Sequence, residues 1–212
     1  MTTNDRWNLV AVLRGLQPQE AADVGRCLYE AGWRTLEVPL NRPGALTAIS
    51  TLRRALPLSE VAIGAGTVLT PEDVLTARDA GAEFVVSPNV EPTVIQQASA
   101  SGLASCPGVA TPSEALAAIG AGADVLKVFP AGQVGQSGLR AWVDVLPPGT
   151  RLLPVGGVTP GSLATWLRAG ATGFGVGRAL FRPGITGADL RSRAREFHDA
   201  WTAAHAELGS AS

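Results

Sequence analysis

Ala121-Gly122-Ala123-Asp124-Val125-Leu126-Lys127-Val128-Phe129-Pro130 holds a helix end, a strand and a loop start in ten residues. Glycine just past a helix supplies the left-handed conformation that closes its last turn. The apolar run that follows is too short for a helix and suits a strand buried on both faces. The same junction recurs at Ala31-Gly32, Ala80-Gly81, Ser101-Gly102 and Ala169-Gly170. A complementary signal marks helix starts: Thr70-Pro71-Glu72-Asp73, Thr111-Pro112-Ser113-Glu114 and Thr159-Pro160 each set a capping Thr before a Pro at the first helical position. The first two add an acid three residues after the Thr, the spacing of a capping box. Strands are expected at 9–13, 35–40, 61–65, 83–87, 103–106, 124–129, 151–155 and 173–177. Eight strands alternating with helices predict a single-domain (β/α)8 TIM barrel over residues 1–212, with a frayed tail from about 207 to 212. An open doubly wound sheet is the alternative.

A length of 212 residues suits one α/β domain with a substantial core. The formal charge of −1 gives no basic field for nucleic acid or an anionic membrane. No run reaches the ~18 apolar residues that suggest a membrane span, and the first residues do not read as a signal peptide. Cys27 and Cys106 show neither a metal spacing nor a disulfide framework, which favours a reduced, cytoplasmic compartment. His198 and His205 sit seven apart on the last expected helix and read as a solvated face, so no metal site is expected.

Of 17 Lys and Arg residues, Lys127 alone is lysine. Arginine stays charged in proteins, whereas lysine can lose its proton and act as a nucleophile. A lone lysine inside an apolar strand therefore suggests chemistry, although a stem snorkelling from a strand end would also fit. Strand period two places Val125, Lys127 and Phe129 on one face, and Thr35, Glu37 and Pro39 on one face of the second strand. Both faces are assigned to the interior, because an acid or amine under the helices would be buried without a partner. Arg14, just after the first strand, would join Lys127 and Glu37 there. A carboxylate, an amine and a guanidinium in one apolar pocket suit an acid/base-assisted nucleophile; Glu37 read simply as an ion-pair partner is the alternative. Gly156-Gly157 after the seventh strand, and Gly175 and Gly177 at the eighth, offer bare backbone N–H groups to a phosphate, or serve tight turns. Gly173-Phe174-Gly175-Val176-Gly177 does not match a dinucleotide fingerprint.

Arg14-Gly15, Leu36-Glu37-Val38-Pro39-Leu40-Asn41, Gly64-Ala65-Gly66-Thr67-Val68-Leu69, Ser87-Pro88-Asn89, Cys106-Pro107-Gly108, Leu126-Lys127-Val128-Phe129-Pro130 and Val155-Gly156-Gly157-Val158 together resemble the 2-keto-3-deoxy-6-phosphogluconate/6-phosphogalactonate aldolases. The likeness runs from about residue 9 to 183. Pro39 and Asn41 stand where the gluconate-type enzymes carry Thr and Arg, and Arg14 is an early arginine those enzymes lack, so the chain looks more like the phosphogalactonate branch. Arg178 after Gly177 departs from the small polar residue often found there. The resemblance implies a class I, Schiff-base retro-aldol cleavage of a phosphorylated 2-keto-3-deoxy sugar acid to pyruvate and glyceraldehyde 3-phosphate. It gives Lys127 the role of nucleophile and Glu37 that of acid/base. It makes Arg14 and Thr67 candidates for the carboxylate, the four glycines candidates for the phosphate, and Pro88, Cys106 and Phe129 pocket lining. It implies no metal or organic cofactor and a homotrimer. The gluconate epimer, 4-hydroxy-2-oxoglutarate and, more distantly, a phosphate-barrel isomerase or epimerase are the alternatives.

Overall fold

Residues 7–209 are described by a computed structural model of the chain. Its first half runs β1 (Leu9–Val12), α1 (Ala21–Glu30), β2 (Thr35–Pro39), α2 (Ala45–Ala55), β3 (Ala62–Gly66), α3 (Pro71–Asp79), β4 (Phe84–Val86) and α4 (Pro92–Ala100). Then follow β5 (Ala104–Cys106), β6 (Gly108–Val109), α5 (Pro112–Gly120), β7 (Leu126–Val128), α6 (Ala131–Val143), β8 (Leu152–Pro154), α7 (Leu163–Arg168), β9 (Phe174–Val176) and α8 (Gly187–Gly209). Both expected capping boxes form: Thr70 with Asp73 at α3, and Thr111 with Glu114 at α5. Thr159 starts a short 3-10 turn, Pro160–Ser162, ahead of α7. α8 carries the chain through residue 209, and the rest of the tail expected to fray lies outside the described residues.

The expected closed, eight-stranded barrel is not what forms. Parallel strands make one six-stranded sheet, in the order β5-β4-β3-β2-β1-β9, and a separate three-stranded sheet, β6-β7-β8. The reason at one seam lies just past the expected fifth strand, where Pro107 separates β5, which pairs with β4, from β6, which pairs with β7. The Pro107 carbonyl accepts from Lys127 N at 2.9 Å, but proline has no N–H for the return bond, so the ladder cannot continue through it. At the other seam a single bridge, Val155 to Gly175, links the end of β8 to β9.

The two faces of the strands feed two cores. Leu36 and Val38 of β2, Ile63 and Ala65 of β3, and Leu126 and Val128 of β7 point outward into a large cluster shared with the helices. Val10, Ala62, Phe84, Val86, Cys106, Val125 and Leu153 point inward and meet Trp7 in a small second cluster. The Trp7 and Phe84 rings pack edge to face with centroids 5.0 Å apart. This inner plug lies on the same strand faces as Glu37 and Lys127.

Candidate active site

Glu37 and Lys127 fall where period two places them. Their strand neighbours face the helices, while the two charged residues face inward and are 3% and 7% exposed. Glu37 stands opposite Val12 on β1 and Gly64 on β3; Lys127 stands opposite Gly108 on β6 and Leu153 on β8. No ion pair within 4.0 Å joins them among the described residues. Neither side chain has a hydrogen-bond partner there, yet no fully buried polar side-chain atom is left unpartnered. The carboxylate oxygens and the amine therefore both reach accessible space, as groups that meet a substrate must. Lys127 Nζ lies 4.7 Å from the centre of the Phe129 ring. A Cβ at Gly156 would stand 3.8 Å from the same ring, so Phe129 meets both the amine and the Gly156-Gly157 turn.

Burial sets the electrostatics. It pushes the Glu37 carboxyl above its ordinary pKa, and the charges of Lys127 and Arg14 pull it only part of the way back. An upward shift suits a carboxyl that must take and return a proton. Cys106 stands in the same field. Burial raises its thiol far above the usual range, Lys127 opposes that shift, and Glu37 and Asp124 add to it, so the thiol stays protonated.

The remaining expected residues lie just after strands, with one exception. Arg14 is exposed, and its Nη1 donates to Asn41 Oδ1 at 3.1 Å across the loops after β1 and β2. Thr67 closes β3 with a φ of 57°. That conformation is rare and strained for a β-branched residue, and strain of this kind concentrates at functional sites. Pro88 follows β4, half-buried, with its carbonyl packed against Gly108, the register partner of Lys127. Gly156 and Gly157 are exposed and adopt φ of 99° and 80°. The amides of Gly157, Gly177 and Arg178 have no acceptor among the described residues. Gly175 is the exception: it is buried, and a Cβ there would run into the Val155 side chain, so its lack of a side chain serves the seam between β8 and β9. The sequence marked Asn41 only as a sign of the phosphogalactonate branch, and its bond to Arg14 was not legible there.

Among the described residues no group of three or more His, Cys, Asp or Glu could hold a metal ion, and no helix is long and apolar enough to cross a membrane. His198 packs over Gly32 and His205 lies against Trp201, both far along the chain from the strand ends.

A buried amine and a buried carboxyl with raised pKa, on the inner faces of parallel strands, define an enzyme site suited to amine catalysis on a carbonyl compound. The chain matches the family described as KDPG and KHG aldolase over residues 3–192, and it belongs to that family. It is 45% identical over 186 residues to a probable 2-dehydro-3-deoxy-6-phosphogalactonate aldolase of Rhizobium meliloti, covering 88% of this chain and 87% of the relative. It is 42% identical over 177 residues to the 2-dehydro-3-deoxy-6-phosphogalactonate aldolase of Escherichia coli, covering 83% and 85%. A solved structure described as native KDPGal superposes with a TM-score of 0.90 at 39% identity, covering 92% of this chain and 95% of the other.

Proposed function

We propose that this aldolase cleaves 2-dehydro-3-deoxy-6-phosphogalactonate to pyruvate and D-glyceraldehyde 3-phosphate through a Schiff base on Lys127. One observation carries the reading: Lys127 and Glu37, both buried on inward strand faces, keep their polar ends open to solvent-accessible space, and Lys127 opposes the burial that raises the Glu37 pKa. The substrate follows from the relatives at 45% and 42% identity.

The neutral Lys127 amine attacks the C2 ketone, and loss of water leaves an iminium. Glu37 takes the proton of the C4 hydroxyl. The C4–O bond becomes a carbonyl while the C3–C4 electron pair moves into the iminium, giving an enamine and free glyceraldehyde 3-phosphate. Glu37 returns its proton to C3, and water releases pyruvate and the amine. The iminium is the electron sink, which is what covalent catalysis contributes here. Arg14, with a guanidinium fixed by Asn41, and Thr67, with its hydroxyl at the end of β3, hold the substrate carboxylate. The open amides of Gly157 and Gly177, with the bare Gly156 turn, hold the phosphate, with Arg178 beside them. Pro88, Cys106 and Phe129 line the walls. Two free cysteines support a cytoplasmic enzyme, and the family resemblance supports a homotrimer.

Borohydride added with pyruvate should fix a stable adduct on Lys127, read by peptide mass spectrometry; an unmodified Lys127 in active enzyme sinks the Schiff-base mechanism. Side-by-side kcat/KM on the two C4 epimers and on 4-hydroxy-2-oxoglutarate then tests the substrate, and preference for either alternative overturns the galactonate assignment.

A further inference from the structure

The inner face of β3 carries Ala62, Gly64 and Gly66 and nothing larger than a methyl group. Gly64 leaves room for the Phe84 ring of the inner plug. Gly66 leaves room for something else. A Cβ built there would collide with Glu37 Oε1, and the next nearest atoms are the carboxyl carbon and Cγ of the same side chain. The ladder pairs Glu37 with Gly64 and Pro39 with Gly66, so the Glu37 side chain leans along β2, toward the C-terminal ends of the strands, until its carboxylate lies across Gly66. The backbone does not require glycine, because Gly66 is not among the residues with positive φ. It cannot easily withdraw either, since the Gly66 carbonyl accepts from Leu40 N at 2.7 Å and ties β3 to β2 at that point.

We propose that Gly66 is a positioning residue: its missing side chain is the seat that aims the Glu37 carboxylate at the reacting carbons. This rests on the reading of Glu37 as the acid/base. A methyl at position 66 turns the carboxylate out of its seat while leaving Lys127, Arg14 and the phosphate amides in place. Gly66→Ala therefore lowers kcat by on the order of 10²-fold, the scale of a displaced general acid/base. It changes KM less than about threefold and leaves pyruvate trapping on Lys127 intact.

The decisive test is a cycle on thermal stability. Gly66→Ala lowers the Tm of the otherwise native protein by on the order of 5 °C, as overpacking does in a chain this size. In a Glu37→Ala background, where the added methyl meets no carboxylate, the same change leaves Tm within about a degree. If Gly66→Ala alone fails to fold while Gly66→Ala/Glu37→Ala folds, the seat is equally supported. Equal Tm losses in the two backgrounds overturn the seat, as does unchanged kcat in Gly66→Ala. Coupled stabilities alongside full turnover in Glu37→Gln would instead overturn the acid/base reading of Glu37 and leave the steric seat standing.

Discussion

Glu37→Gln keeps the shape of a side chain that is 3% exposed and removes its ability to titrate. Burial holds the folded carboxyl above its unfolded pKa of ~4.3. Between those two values the native protein binds more protons than the unfolded chain, so wild-type stability falls as pH rises through that window. The amide of the variant has no such window. The Tm of Glu37→Gln minus that of wild type therefore grows as pH rises from about 4 and levels off above the folded pKa of Glu37. Each unit of upward shift is worth about 1.4 kcal/mol, and each kcal/mol moves Tm by roughly 2–4 °C in a chain of this length. The plateau thus measures the shift directly. Circular-dichroism melts of both proteins from about pH 4 to 9 supply the curve. In catalysis, kcat falls by about 10²–10⁴-fold while the borohydride adduct with pyruvate still forms, because only the proton shuttle is lost. A Tm gap that is flat or closes with rising pH refutes the burial argument, and turnover within a few-fold of wild type refutes the acid/base role.

Arg14→Gln raises KM for the sugar acid by about 10–100-fold, the loss of a charge-assisted hydrogen bond. Because Arg14 helps to hold the Glu37 pKa down, the acid limb of the kcat/KM profile also moves to higher pH, which steady-state kinetics across pH would show. Gly177→Asp fits sterically, since a Cβ there stands 3.8 Å from Val12, and sets a carboxylate beside the open amides. It raises KM for the phosphorylated acid at least about tenfold and leaves pyruvate trapping unchanged, because repulsion acts only where phosphate binds. Thr67→Gly releases the strain of a φ of 57°, so calorimetry finds Tm higher by about 2 °C while kcat/KM falls with the loss of the hydroxyl.

Period two and turn chemistry carried much of this site into the sequence. They fixed the inward faces of Glu37 and Lys127, and the Thr-Pro helix starts placed α3 and α5 with their caps. What they could not carry were properties of pairs. Closure of the sheet depended on which partner Pro107 failed to bond, and a strand read as ending at Cys106 hides the break into β5 and β6. Four glycines near the seventh and eighth strand ends look alike as letters. Only packing separates Gly175, whose space Val155 needs, from Gly156, Gly157 and Gly177, where an added Cβ would meet nothing closer than 3.8 Å. Gly66 was invisible for the same reason, since its space belongs to a residue 29 positions earlier in the chain.

The division of labour among the cations follows from the same packing. Every ion pair within 4.0 Å among the described residues uses arginine: Arg26 with Asp23, Arg53 with Glu83, Arg78 with Asp79, Arg168 with Glu207 and Arg191 with Glu30. Most of these are exposed and contribute about 0–1 kcal/mol each, so either cation would serve there. The position that distinguishes them is 127, where the side chain is buried, makes no such pair and ends in accessible space. A guanidinium at that place would remain a permanent charge facing Glu37. A lysine amine can attack a ketone and become a cation as the iminium, and the Phe129 ring beside it suits that charge.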